Sequence, residues 1–121
     1  MYTLLCMIFL HIVDDYYLQG ALASMKQRNW WLKLPNYNAK YRFDYIAALI
    51  AHAFSWAFMV MLPVAFCNAF ELGTAFYLMF AWNVLTHAFV DDLKANKFKI
   101  NLVQDQLAHL LQIVVTFAVL V

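Results

Sequence analysis

Four apolar segments, each close to the length of a membrane span, alternate with polar connections along the chain. The predicted spans are residues 2–24, 45–66, 72–90 and 102–121. A helix needs about 20 apolar residues to cross roughly 30 Å of hydrocarbon, and backbone without internal hydrogen bonds is excluded from lipid. The pattern therefore predicts an all-α fold, in which residues 1–121 form a single integral membrane domain built as a four-helix transmembrane bundle.

The composition supports a membrane protein over a soluble one. Hydrophobic residues make up 66% of the chain and charged residues 12%, whereas a soluble domain is about half apolar and about a quarter charged. The net charge of +1 gives no reason to expect a nucleic-acid partner. Two cysteines without Cys-x-x-Cys spacing indicate neither a disulfide framework nor a thiolate zinc site.

The basic residues predict the orientation of the bundle. All eight Lys and Arg residues lie in the connections 20–44 and 92–101, and none lies in the turn 67–71. The first and third connections of an antiparallel bundle share one side, which the positive-inside rule makes cytoplasmic. We expect an integral protein of the inner (cytoplasmic) membrane with both termini outside. The aromatic residues of the first connection predict a long interfacial loop.

Ionisable residues interrupt all four apolar segments toward the cytoplasmic side. Several are His and Asp residues spaced four apart, which places each pair on one helical face. Such groups within a membrane normally face the bundle interior, and His with carboxylate side chains from facing helices can hold one or two metal ions. The predicted metal ligands are His11, Asp15, His52, His87, Asp91, Asp105 and His109. For any one histidine, a hydrogen bond between helices is the alternative.

The donor types predict the chemistry of this site. Imidazole and carboxylate together favour zinc, manganese or iron as the divalent cofactor. Asp14 and Asp92 adjoin two predicted ligands, and either could act as general base. Basic residues near the site could bind an anionic substrate; they are Lys26, Arg28, Lys94 and Lys97. Amides on the same helices could orient the ligands by hydrogen bonds; they are Gln19, Asn83, Gln106 and Gln112.

The two halves of the chain repeat the same arrangement. In each half, a helix ending in a His–Asp pair is followed by a basic connection and by a helix that carries one histidine near its start. Both halves run through the membrane in the same direction. The pattern thus predicts a parallel repeat of two helical hairpins.

The order of these motifs resembles a known family. H-x3-D-x2-L-Q begins at His11, a single histidine follows at His52, H-x3-D-x2-K begins at His87, and D-Q-x2-H begins at Asp105. Together they resemble small polytopic membrane proteins of bacteria and phages, a family known only as a domain of unknown function. The resemblance implies a helical membrane protein and no particular reaction. The His/Asp pattern is also similar to that of membrane-bound metal-dependent hydrolases.

Three functional hypotheses follow from this pattern. The leading one is a metal-dependent membrane enzyme, a hydrolase of a phosphate-bearing or lipid-linked substrate at the cytoplasmic leaflet, in contact with membrane lipid. The second is an ion- or proton-coupled transporter or a channel-like protein, which with four spans would require a homo-oligomer. The third is a small membrane regulator or phage accessory protein that binds a host membrane protein and uses the polar cluster only to hold its helices together.

Overall fold

The computed structural model covers residues 1–121 and is all-helical, without strands, which confirms the predicted fold class. The helices are α1 (Tyr2–Val13), α2 (Leu22–Met25), α3 (Arg28–Leu32), α4 (Asp44–Cys67), α5 (Thr74–Ala95) and α6 (Leu102–Leu120). A π-helical turn, Asp14–Leu18, continues α1, and a 3₁₀ turn, Ala39–Tyr41, precedes α4. The predicted first span, 2–24, is therefore not one continuous helix.

The four long helices pack in the order α1, α4, α5, α6 around a common interior, so that α1 and α5 lie diagonally opposite. Thr3 Oγ1 at the start of α1 lies 3.2 Å from Cys67 Sγ at the end of α4. Asp91 near the end of α5 lies 3.1 Å from His109 in the first half of α6. Adjacent long helices therefore run antiparallel. The ends of α1 and α5 and the starts of α4 and α6 meet at one end of the bundle, here called the polar end.

The distribution of side chains is reversed relative to a water-soluble bundle. Half of the 22 buried residues are polar or charged. The exterior carries large apolar side chains on all four long helices, among them Phe9, Phe54, Leu85 and Leu111, each more than half exposed. By length and composition, two helical segments could cross a membrane, namely Ala39–Cys67 and α6.

The half of the bundle away from the polar end is filled by apolar side chains. Met7 from α1, Val60 and Val64 from α4 and Ile113 from α6 form one buried cluster together with Trp56. This apolar core begins directly next to the buried polar residues, on the side away from the polar end. Trp56 marks the boundary, because it belongs to the apolar core and also contacts the histidines above it.

Residues 22–32, here called the strap, contain α2 and α3 and pack against α4 beside the polar end. Asn96, just beyond α5, fixes the strap at two backbone positions. Its Nδ2 donates to the carbonyl of Lys26 at 3.0 Å, and its Oδ1 accepts from the amide of Arg28 at 2.6 Å. Asp92 Oδ1 accepts a hydrogen bond from Asn96 Nδ2 at 2.8 Å. The first part of the connection that was predicted to be an interfacial loop is thus a defined segment tied to the end of α5.

Candidate metal centre

Three histidines and one aspartate converge at the polar end and form what we call the His–Asp cluster: His52, His87, Asp91 and His109. The Nε2 atoms of His52 and His87 lie 3.0 Å apart. Asp91 Oδ2 lies 2.7 Å from His52 Nε2, and Asp91 Oδ1 lies 3.1 Å from His109 Nε2. All four side chains are buried. Residues from α4, α5 and α6 thus point their polar atoms at one small volume.

Two further carboxylates flank the cluster and each has one oxygen without a hydrogen-bond partner. Asp15 Oδ1 lies 3.6 Å from His52 Nε2, and Asp105 Oδ1 lies 3.3 Å from His109 Nε2. Both oxygens are buried, and neither accepts a hydrogen bond. A buried acceptor left without a partner costs about 1–3 kcal/mol, more when it is charged. The arrangement therefore favours a bound cation that contacts these oxygens.

Two overlapping sets of side chains have the spacing of a metal site. Within each set, one ligand atom from every residue lies within 4.8 Å of the others. The first set is Asp15, His52 and His87, and the second is His87, Asp91 and His109. Zinc binds nitrogen and oxygen at about 2.0–2.2 Å, so two atoms bound to the same ion lie less than 4.8 Å apart. The cluster could hold a divalent metal ion, and its mixed donors suit zinc, manganese or iron.

A chain of buried polar groups fixes the orientation of His109. Gln112 Nε2 donates to the carbonyl of Asn83, so Gln112 Oε1 accepts from His109 Nδ1 at 3.2 Å. Asn83 Nδ2 in turn donates to Thr116 Oγ1 at 2.8 Å. With the proton on Nδ1, the lone pair of neutral His109 is on Nε2, which faces the carboxylates. Metal-binding histidines are commonly held in this way, as the sequence predicted for Asn83 and Gln112.

His11 lies beside the cluster and has no free nitrogen. Trp56 Nε1, which can only donate, lies 2.8 Å from His11 Nδ1. His11 Nε2 must then carry the proton and donate to Gln106 Oε1 at 3.0 Å. Gln106 Nε2 donates to Asp105 Oδ2 at 3.0 Å. The sequence analysis placed His11 among the ligands, whereas these hydrogen bonds make it a residue that orients Gln106 and, through it, Asp105.

Trp56 is the functional residue that the sequence analysis missed. It is fully buried and stacks on His87 with ring centroids 4.2 Å apart and an interplanar angle of 22°. It also holds the tautomer of His11. Its position four residues after His52 places both side chains on one face of α4, which was the available signal.

The two predicted general bases do not contact the cluster. Asp14 is buried, but Ser55 Oγ donates to its Oδ1 at 2.8 Å and Gln19 Nε2 donates to its Oδ2. Asp92 is partly exposed, and its Oδ2 lies 3.4 Å from Lys97 Nζ. We therefore assign neither carboxylate as the base. Gln19 likewise orients Asp14 and not a metal ligand.

Two lysines reach the site itself. Lys26 Nζ lies 2.7 Å from Asp91 Oδ2, with 12% of its side chain exposed, and Lys94 Nζ lies 3.1 Å from Asp105 Oδ2. Lys94 lies beyond the predicted span 72–90. Burial alone would lower the pKa of Lys94, but the Asp105 carboxylate outweighs it and raises that pKa above its usual value. The other predicted substrate-binding residues, exposed and outside the cluster, are Arg28 and Lys97.

No family model matches the chain, and no curated protein or solved structure matches it either. The resemblance to small bacterial and phage membrane proteins therefore stays a prediction. Because a fold alone does not determine function, the function must be inferred from the geometry of the His–Asp cluster.

Replacing Asp91 should destabilise the protein far more than replacing its neighbour. We expect Asp91→Asn to lower the free energy of unfolding by about 3–5 kcal/mol, because the buried ammonium group of Lys26 loses the carboxylate with which it is paired. Asp92→Asn, at a partly exposed surface pair, should change it by less than about 1 kcal/mol. Denaturant titration of both variants in detergent, followed by tryptophan fluorescence, measures the difference. Equal effects would contradict a central role for Asp91.

Proposed function

We propose that this chain is an integral membrane protein that binds a divalent metal ion at the His–Asp cluster and uses it to hydrolyse a phosphate ester at the cytoplasmic leaflet. One observation carries the proposal: three imidazoles and three carboxylates meet at the polar end of a bundle with an apolar exterior, and two buried carboxylate oxygens lack partners. Neither feature is needed merely to pack four helices.

The side-chain distribution supports four spans, although composition alone identifies two. Asn83, His87 and Asp91 lower the mean hydropathy of α5, although their side chains are buried inside the bundle. Lipid would contact only the outer face, where Leu85 and Phe89 are more than half exposed. Helix α1 and its π-helical turn together provide 17 residues, which is near the lower limit of about 17 for a span. By the positive-inside rule, the basic connections favour a cytoplasmic position for the polar end.

The metal would lower the pKa of a bound water and stabilise negative charge on the phosphoryl group. Asp15 is the carboxylate best placed to accept the proton of that water, because its Oδ1 is unpaired and its side chain is 10% exposed at the rim. As Asp15 takes the proton, the water oxygen would bond to phosphorus and the bond from phosphorus to the ester oxygen would break. The leaving oxygen would then take that proton from Asp15. Lys26 and Lys94 offset the developing charge.

The surface next to the cluster favours a lipid or lipid-linked phosphate as substrate. A groove of about 320 Å³ lies between the strap and α4, lined mainly by apolar residues that include Leu22, Met25 and Trp31. Met25 immediately precedes Lys26, so the groove opens beside a cation of the site. An acyl chain in the groove would bring its phosphate headgroup to the lysines.

The interior of the bundle argues against transport by one chain. The polar groups below the cluster end at Thr116. Beyond it the interior is filled by the apolar core, including Val60, Val64 and Ile113. Ions or protons would need a polar route across this region. Chemistry confined to one side of the membrane fits the structure better.

Metal binding should depend on His87 and not on His11. We expect His87→Ala to abolish binding of zinc or manganese, because His87 belongs to both ligand sets. His11→Ala removes no metal-facing nitrogen, so it should still bind at saturating metal, with affinity about 10–100-fold lower. Elemental analysis after equilibrium dialysis of detergent-purified protein measures both. Full binding by His87→Ala would contradict the proposed site.

The proposed topology predicts which cysteines react from outside the cell. In a Cys6→Ala background, the exposed thiol of Cys67 should react with a membrane-impermeant maleimide on intact cells. A cysteine at the exposed position Lys99, in a chain without Cys6 and Cys67, should react only after the membrane is opened. Labelling followed by gel-shift detection reads out both. The opposite pattern would contradict a cytoplasmic polar end.

Hydrolysis should require both the metal and Asp15. We expect purified protein to release inorganic phosphate from phosphatidic acid in mixed micelles, and chelation to stop it. Asp15→Asn should lower the rate by about 10²–10⁴-fold, the usual effect of losing a general base. Glu71→Gln, in the turn at the opposite end, should leave the rate unchanged. A rate that neither chelation nor Asp15→Asn reduces would refute the assigned metal and base, and the absence of phosphate release would refute the hydrolase assignment.

A further inference from the structure

We infer that the Lys26 ammonium occupies the position of a second metal ion, so that the cluster binds one divalent metal per chain beside a cation supplied by the protein itself. This inference rests on the metal binding proposed above and specifies its stoichiometry. It assigns Lys26 a role different from the surface contact with substrate that the sequence predicted.

Asp91 presents two separate cation positions. Its Oδ2 faces Lys26 and His52, each at 2.7 Å, and its Oδ1 faces His109 at 3.1 Å. A carboxylate that bridges two cations uses one oxygen for each, as in two-metal sites with ions about 3.5–4 Å apart. The Oδ1 side faces His109, which belongs to the second ligand set. The Oδ2 side already holds a cation, the ammonium of Lys26.

The ammonium also blocks the first ligand set. Lys26 Nζ lies 3.4 Å from His52 Nε2 in addition to its ion pair with Asp91. A metal held by the first ligand set, Asp15, His52 and His87, would therefore lie beside a buried positive charge. Such repulsion is strong where water is scarce. Metal binding at this position requires that Lys26 leave it.

His87 cannot complete both ligand sets at once. Both sets include His87, and the Nε2 of a neutral imidazole has one lone pair to give. If His87 binds a metal with Asp91 and His109, the other position keeps only Asp15, His52 and one oxygen of Asp91. The Lys26 ammonium needs no such ligand geometry, because it bonds through its own hydrogens.

The strap holds Lys26 at this place. Asn96 binds the backbone of Lys26 and of Arg28, and Asp92 fixes Asn96. The backbone is therefore anchored at the carbonyl of Lys26 itself and again at the amide two residues later, unlike the backbone of a surface lysine on a free loop. This contact network also gives Asp92 a structural role away from the reaction.

Charge favours a single metal. Three carboxylates (Asp15, Asp91 and Asp105) and two ammonium groups (Lys26 and Lys94) carry a net charge of −1 when the histidines are neutral. One divalent ion brings this to +1, whereas two bring it to +3. Uncompensated charge within a membrane protein is costly. With both lysines in place, one metal ion therefore leaves less excess charge in the site than two would.

The test is the number of manganese or zinc ions bound per chain, measured by elemental analysis after equilibrium dialysis of the full-length protein in detergent. We expect one ion in the wild-type protein. Lys26→Ala should bind two, because it removes the ammonium from His52 and Asp91 Oδ2, and these atoms together with Asp15 can then hold a second ion. Lys26→Gln, neutral and of similar length, is the second variant and should also bind two. Lys26→Arg, which keeps the charge, and Lys97→Ala, at an exposed lysine, should bind one.

Each result decides the inference. Two ions in the wild-type protein would overturn it, and so would a single ion in folded Lys26→Ala and Lys26→Gln. If neither variant folds, the number of ions bound by the wild-type protein still decides between one metal and two. No ion in the wild-type protein would instead refute the proposed function, which separates failure of the site from failure of the stoichiometry.

Discussion

The carboxylate of Asp91 is the constraint on which the rest of the structure depends. A buried charge must be paired or it destabilises the protein by several kcal/mol, and Asp91 is paired from three directions. Its partners are His52 from α4, His109 from α6 and Lys26 from the strap. These contacts fix how the helices rotate about their axes and where residues 22–32 lie. One side chain on α5 thus sets the geometry of the whole polar end.

For a bundle in lipid, the same contacts would provide cohesion as well as the proposed chemistry. Apolar side chains gain little by moving from lipid into a helix interface, so membrane helices associate through packing and polar contacts. The apolar core around Val60 and Ile113 supplies the packing, and the His–Asp cluster supplies the polar contacts. Trp56 joins the two, since it packs in the core and stacks on His87. A substitution in the cluster therefore affects stability and metal binding together, and the two must be measured separately.

Helical periodicity predicted the parts of the site that depend on one helix. The spacing of Asp91 four residues after His87 predicted that the two side chains share one helical face. The antiparallel order of the segments predicted that histidines from separate helices meet at one end. Spacing could not reveal contacts between distant segments. Trp56, from another helix, donates a hydrogen bond to one nitrogen of His11, and Gln106 accepts one from the other. Lys26 reaches the cluster because Asn96, about 70 residues later in the chain, ties down the strap.

Two of the carboxylates at the polar end leave one buried oxygen each without a partner. Two lysines face three carboxylates, and Asp15 Oδ1 and Asp105 Oδ1 accept no hydrogen bond. Protonation of His109 would add one N–H, which points toward Asp91 and Asp105 and leaves Asp15 Oδ1 unpaired. A divalent ion at His87, Asp91 and His109, with its bound water, could satisfy oxygens on both sides at once. A single ion with its water would thus connect the carboxylates on both sides of the cluster, which is why the proposed function centres on this position.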